Sequence, residues 1–201
     1  MQSEHIKIFD DQHRELGVAT RDEVHKLGYW HETFHFWLIK KETDSYQIYF
    51  QIRSNTKKDY PNLLDITAAG HLLAHETTAD GIREVEEEIG IKVTKEELVS
   101  LGVIKNPIIT EKLIDKEFSH VFLWETPNEP NFVLQKEEVS GMAKADFLEY
   151  HDLCLGITPQ MSIEGYHNGL PFTKTVTLKD FVPHDPGYNE AVVKTIHFHI
   201  K

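Results

Sequence analysis

The spacing of apolar residues along this chain predicts a mixed set of strands and helices. IKIFD (6–10) predicts a short strand, and TRDEVHKLG (20–28) a short helix with Thr20 as its cap and Gly28 as its stop. WHETFHFWLI (30–39) and YQIYFQI (46–52) are rich in aromatic and β-branched residues, and Thr43-Asp44-Ser45 between them has turn chemistry, so a hairpin is expected. A further short strand runs from Leu63 to Ala68 into Gly70, and a helix from about Asp80 to Ile89 ends at Gly90. Glu97–Ile104 and Phe118–Trp124 read as strands separated by a long connection that holds Pro107, and ETPNEPN (125–131) reads as a loop. Val139–Ala145 predicts another strand, followed by a helix over about Asp146–Leu155. Beyond Pro159 the pattern becomes irregular until VVKTIHFHI (192–200), which reads as a strand. Strands and segregated helices without a repeated βαβ unit indicate an α/β or α+β fold.

Composition narrows the class. With 201 residues and 40% hydrophobic positions, the chain suits one domain with extensions. The expected boundaries are an N-terminal extension over 1–28, a main domain over 29–155 and a C-terminal extension over 156–201 packed on it. No apolar run approaches the roughly 20 residues needed to cross a bilayer, and MQSEHIKIFDDQH has no secretory pattern. A single cysteine fits a reducing, cytoplasmic setting. The net charge of -12 argues against a general nucleic-acid binder. An acidic protein still binds a phosphorylated small molecule when metal ions bridge the like charges.

The chemistry concentrates in REVEEEIGI (83–91). At about 100° per residue, Glu84, Glu87 and Glu88 share roughly a third of the helix circumference, while Ile82, Val85 and Ile89 form an opposite core face. Glu86 falls nearer the apolar side and reads as a rim residue. Carboxylates crowded on one face repel each other unless a cation lies between them, and a hard divalent ion suits such a site. On the glutamates alone an exposed acidic stripe is the simpler reading; Arg83, the Gly90 stop and the Gly70 turn with Glu76 upstream favour the metal.

Gly70, Glu76 and Arg83 through Ile91 resemble the Nudix box, in which a glycine, five residues and a glutamate precede the Arg-Glu-apolar-any-Glu-Glu-any-Gly-apolar helix. The match departs at one place: six residues, where the pattern has seven, separate Glu76 from Arg83. The resemblance implies a Nudix α/β/α sandwich with a mixed sheet between helices. It implies that Glu84, Glu87 and Glu88 bind Mg²⁺, or Mn²⁺ in its place, with the Gly70 carbonyl as a further ligand. It also implies that Arg83 orients a glutamate, which in the family is the loop glutamate, here Glu76.

GYWHETFHFWLI, QIRS, DITAAGH and KEEVSGM, in this order over about residues 5–150, are similar to the Nudix branch related to isopentenyl-diphosphate isomerase. That isomerase needs a catalytic cysteine just before the box and histidine metal ligands. Leu64–Ala69 holds no cysteine, and Cys154 lies far downstream, so the isomerase is set aside.

Hydrolysis of a diphosphate linkage remains, in a nucleoside diphosphate derivative or a related small molecule; the alternative is a non-catalytic module that senses a nucleotide or sugar diphosphate. Glu87, Glu88, Glu137 and Glu138 are candidates for the general base. Arg53 is a candidate for phosphate binding, against a salt bridge to Asp65, and His71 for touching substrate, against a loop-supporting role. Zinc is not expected. His31 and His35 share a strand face but lie roughly 13 Å apart at ~3.3 Å per residue, and most of the thirteen histidines read as surface or satisfied core residues. The Trp30, Phe34, Phe36 and Trp37 cluster reads as core, and Ser140 and Cys154 lack a nucleophile's context. The apparent IHFHI strand makes a homodimer plausible through its open edge.

Overall fold

The computed structural model describes residues 4–111 and 113–201, so the first three residues of the 1–28 extension lie outside it. One mixed sheet organises these residues, with β11-β10-β9-β4-β3-β1-β2 as its main path. Its strands are β1 (His5–Phe9), β2 (Glu15–Thr20), β3 (Trp30–Lys41), β4 (Tyr46–Arg53), β5 (Leu64–Asp65), β6 (Ala68–His71), β7 (Val99–Ile109), β8 (Ile114–Thr126), β9 (Val139–Asp146), β10 (Met161–His167) and β11 (Leu170–Val176). The helices are α1 (Arg21–Leu27), α2 (Arg83–Ile89), α3 (Phe147–Cys154) and α4 (Pro186–His199). β3 is the hub: it pairs in parallel with β8 from Trp30–Lys116 to Lys40–Thr126, and antiparallel with β4 and β6.

Alternation along β3 sends successive side chains to opposite faces. Phe34, Phe36 and Leu38 join Val85 and Ile89 of α2 in one core, while Trp37 and Ile39 meet Tyr150, Leu153, Tyr188, Val192 and Ile196 of α3 and α4 in another. The sheet therefore lies between helices, the sandwich expected for this fold. Phe34, Phe36 and Trp37 are core residues, as their pattern suggested, whereas Trp30 of the same cluster is only half-buried and packs between Phe118 and Lys105.

Three expectations about elements are corrected. VVKTIHFHI is not a strand but the end of α4, which removes the open edge invoked for a homodimer. Asp185 caps the helix by accepting the Gly187 and Tyr188 amides, and Pro186 follows at the first turn. Tyr188, Val192, Val193 and Ile196 then bury one helical stripe, and this burial outweighs the β preference of the aromatic and branched residues. Second, the long connection holding Pro107 is largely strand: β7 continues to Ile109 and, among the described residues, pairs only with β8, so a missing proline N–H is tolerated there. Third, the region after Pro159 contains the β10–β11 hairpin, turned by Asn168 (φ 51°) and Gly169 (φ 78°) and added to the sheet beside β9. Among the described residues no helix is long and apolar enough to cross a membrane.

Candidate active site

A cleft beside α2 collects the charged residues. Thr77 anchors the approach to the helix by donating its amide and hydroxyl to Asp80 at 2.8 and 2.7 Å. Gly90, at φ 72°, closes it in the left-handed conformation that favours glycine. The amides of Val133 and Gln135 cap the carbonyls of Ile89 and Glu88. Val85 and Ile89 are buried in the core, and Glu84, Glu87 and Glu88 line the cleft. Glu86 is exposed, pairs with Lys92 at 3.0 Å and stands outside the cleft.

Glu88 is buried, its Oε2 accepting from Gln51 Nε2 at 3.1 Å and from the Ala69 amide at 3.2 Å. Burial, with Glu84 beside it, pushes its pKa up to about 8. Burial raises Glu84 to about 7, with Glu87 adding repulsion and Arg83 opposing the shift. Gly70 packs so tightly on Glu84 that a β-carbon there would lie 2.1 Å from the Glu84 carboxyl carbon. Carboxylates raised in this way favour a nearby positive charge. With Glu87 at the cleft edge, the donor set is all oxygen and fits a divalent ion such as Mg²⁺.

Arg83 links the loop to this face. Its Nε and Nη2 donate to the two oxygens of Glu76 at 2.6 and 3.1 Å, its Nη1 to Glu84 at 2.6 Å and to Glu87 at 3.3 Å, and its Nη2 also to the His71 carbonyl at 3.2 Å. Glu76 in turn accepts the Leu73 amide at 2.7 Å. The two-pronged pair forms across the loop despite the missing residue. The Glu76 hydrogen bond is the first cause holding the Arg83 pKa above its ordinary value.

A second ligand set lies in the same cleft and was not foreseen. His25 of α1, His31 of β3, His71 of β6 and Asp115 of β8 bring four ligating atoms within 4.8 Å of one another. The His31 and His71 rings stack at 5.1 Å, and Asp115 Oδ1 lies 3.5 and 3.3 Å from Nε2 of His25 and His31. The three Nε2 atoms and this Oδ1 are buried without a hydrogen-bond partner among the described residues. Burial lowers all three histidines, His31 to about 4, and raises Asp115, so the imidazoles are neutral and available as ligands. Buried polar atoms rarely remain unpaired, and this set fits a borderline divalent ion. The expectation that most of the histidines are surface or satisfied core residues is thus corrected for His25 and His31, and His71, a candidate for touching substrate, falls in the same set. The pairs considered along one strand could not disclose a set drawn from four separate elements.

Other polar groups at the cleft floor are paired. Arg53 donates to Asp65 at 2.8 Å and to the Asp59 carbonyl at 3.2 and 2.9 Å, so its guanidinium is held in the wall by the structural contact. Asp65 also accepts from His184 at 2.8 Å. The Asn106 carboxamide donates to Glu117 and to His184 at 2.8 and 3.0 Å and accepts the Asp185 amide at 3.1 Å. His35 meets the Tyr188 hydroxyl at 2.7 Å and Glu117 at 3.3 Å. His184 and Tyr188, both in the C-terminal extension, therefore complete the cleft and its support. Glu138 lines the cleft and pairs with Lys57, whereas Glu137 is exposed and outside it. His71 lines the cleft within the histidine set. Ser140 donates to the Ile52 and Arg53 carbonyls, and burial pushes the Cys154 thiol up to about 12, far from a thiolate.

No protein-family profile matches the chain. An uncharacterized Nudix hydrolase of Clostridium acetobutylicum is 35% identical over 98% of both chains. The chain belongs to the Nudix hydrolase family. This Nudix hydrolase is accordingly an enzyme of diphosphate bonds, and its family uses a divalent metal. A MutT/nudix family protein from Enterococcus faecalis shares the fold at a TM-score of 0.56 and 17% identity, over 84% of this chain and 61% of that one. An isopentenyl-diphosphate Delta-isomerase of Photobacterium profundum is 28% identical over 79% of this chain and 87% of its own.

Proposed function

We propose that this Nudix hydrolase cleaves a diphosphate linkage in a nucleoside diphosphate derivative or a related small molecule with Mg²⁺ or Mn²⁺ held by Glu84, Glu87, Glu88 and the Gly70 carbonyl. The observation that carries the reading is the convergence of these three carboxylates on one cleft, two of them raised by burial and mutual repulsion. The bound ion supplies positive charge for the phosphate oxygens and lowers the pKa of a water. Arg83 holds Glu84 and Glu87 in place through its contacts with them and with Glu76. Glu87, exposed at the edge, and Glu138, beside Lys57, are the carboxylates positioned to accept a proton from an entering water. Lys57 and Arg21, which also line the cleft, are the cations suited to a diphosphate.

The set of His25, His31, His71 and Asp115 supports a second, imidazole-rich ion position in the same cleft, suited to Zn²⁺ or Mn²⁺. Histidine ligands are one half of what the related isomerase requires. The other half is absent: Ala68 and Ala69 precede Gly70, and the single cysteine sits in α3 against Tyr150. Isomerisation is therefore not favoured. A non-catalytic sensor is also less favoured, because it has little need of three glutamates organised around Arg83.

The test is a metal-dependent hydrolysis screen over nucleotide sugars, dinucleoside polyphosphates, CoA and prenyl diphosphates. Mg²⁺-dependent release of a phosphate-containing product, abolished in Glu87→Gln, is expected. Binding without turnover across the whole panel would establish the sensor instead.

A further inference from the structure

A second cluster of ligating side chains lies on the other face of β3. Glu32 follows His31 directly, and alternation turns its side chain away from the cleft. His13 Nε2 and His120 Nε2 each lie 2.9 Å from the same oxygen, Glu32 Oε1. The three ligating atoms all fall within 4.8 Å of one another. All three side chains keep part of their surface in solvent, at 32%, 20% and 16% exposure for His13, Glu32 and His120.

The scaffold fixes this geometry. Glu32 and His120 come from the parallel pair, in which Glu32 stands opposite Phe118 and Phe34 opposite His120. His13 comes from the turn of the β1–β2 hairpin. Its ring stacks on Phe118 at 4.0 Å and meets the edge of Phe9 at 4.9 Å. Its backbone holds φ 62°, a left-handed conformation that histidine, like asparagine and aspartate, adopts more often than other side-chain-bearing residues, and its amide donates to the Asp10 carbonyl at 3.1 Å. A non-glycine residue persists in that region where its surroundings determine it. Here the turn is what delivers the imidazole to Glu32.

We propose that His13, Glu32 and His120 form a further, solvent-open binding site for a borderline divalent ion of the Zn²⁺ class, separate from both ion positions of the cleft. Two imidazoles and one carboxylate are the ligand set that Zn²⁺ takes with an open position for water. Mg²⁺, which prefers oxygen ligands throughout, does not compete well for it. To bind the ion, both Nε2 atoms give up their hydrogen bonds to Glu32 Oε1 and the rings carry their protons on Nδ1, with the Glu32 carboxylate as the third ligand. The ion would clamp the N-terminal hairpin onto the β3–β8 pair, since its ligands come from both.

The experiment uses the full-length chain stripped of metal by chelation and titrated calorimetrically with Zn²⁺ as the wild type, His13→Gly and His120→Gln. His13→Gly suits the left-handed backbone, so it removes the ligand without straining the turn. The wild type is expected to take up one more equivalent of Zn²⁺ than either variant, and Zn²⁺ is expected to raise its melting temperature by more. Equal uptake by all three proteins would overturn the proposal. Any ion bound in the cleft cancels in this difference, because neither variant touches the cleft, and Mg²⁺-dependent hydrolysis serves as a separate readout of it.

Discussion

Gly70 and Glu84 touch backbone to carboxylate, and the space for a β-carbon between them is already filled by the Glu84 side chain. Gly70→Ala must displace Glu84 by an ångström or more. Misplacement on that scale costs on the order of 10²-fold in rate. The variant is expected to lose about that factor in kcat with the Mg²⁺ requirement shifted to higher concentration, while far-ultraviolet circular dichroism stays unchanged.

Arg83 depends on Glu76 for two of its contacts. Glu76→Ala leaves the guanidinium tied only to the cleft carboxylates and the His71 carbonyl, and it should draw Glu84 out of line. Loss of a partner that orients a metal ligand costs on the order of 10- to 100-fold in activity or metal affinity. Steady-state kinetics over a Mg²⁺ series checks this, and an unaltered kcat and Mg²⁺ dependence would show that the loop pair is merely structural.

In the metal-free protein Glu88 has a folded-state pKa of about 8, above its ordinary value of 4.5. The folded state then holds a proton that the unfolded chain has released. Its stabilising contribution is fully present below about pH 4.5 and is lost as pH rises through about 8. Glu88→Gln removes that loss while keeping an oxygen for Gln51 and Ala69. The melting temperature of the chelated variant should therefore gain a few degrees on the chelated wild type between pH 5 and pH 8. Added Mg²⁺ should restore the wild type at the upper end.

The orphaned imidazoles allow an independent check. His31→Asn should weaken Zn²⁺ or Mn²⁺ binding in the cleft by at least on the order of 100-fold, because it removes a direct ligand. Metal content after dialysis reports it, and an unchanged content would remove this set from the metal chemistry.

Tyr188 is fully buried and its hydroxyl meets His35 at 2.7 Å and the Trp37 indole at 3.3 Å. Tyr188→Phe leaves both groups without that partner in the interior. A loss of about 1–3 kcal/mol is expected from denaturant unfolding.

The glutamate-bearing helix α2 is legible in sequence because its information is local. Seven residues of α2 carry both the core face and the carboxylate face, and Gly90 marks the stop. The sandwich followed from the same box. Two other local signals are present in the C-terminal segment: Asn168-Gly169, a strong hairpin turn, and Asp185-Pro186, a helix start. Aromatic and branched residues at 196–200 favour a strand by local propensity, and only the burial stripe that begins at Tyr188 reveals the helix. The histidine set was illegible for a different reason. His25, His31, His71 and Asp115 meet only after β3, β6 and β8 are paired and α1 is packed, so no spacing along the chain encodes it.

β3 carries one ion site on each side, built from residues as close as His31 and Glu32. Its parallel ladder with β8 runs from Trp30 to Lys40 without a bulge. A single residue inserted between His31 and Glu32 would turn the positions on one side of it to the other face and break up two ligand sets at once.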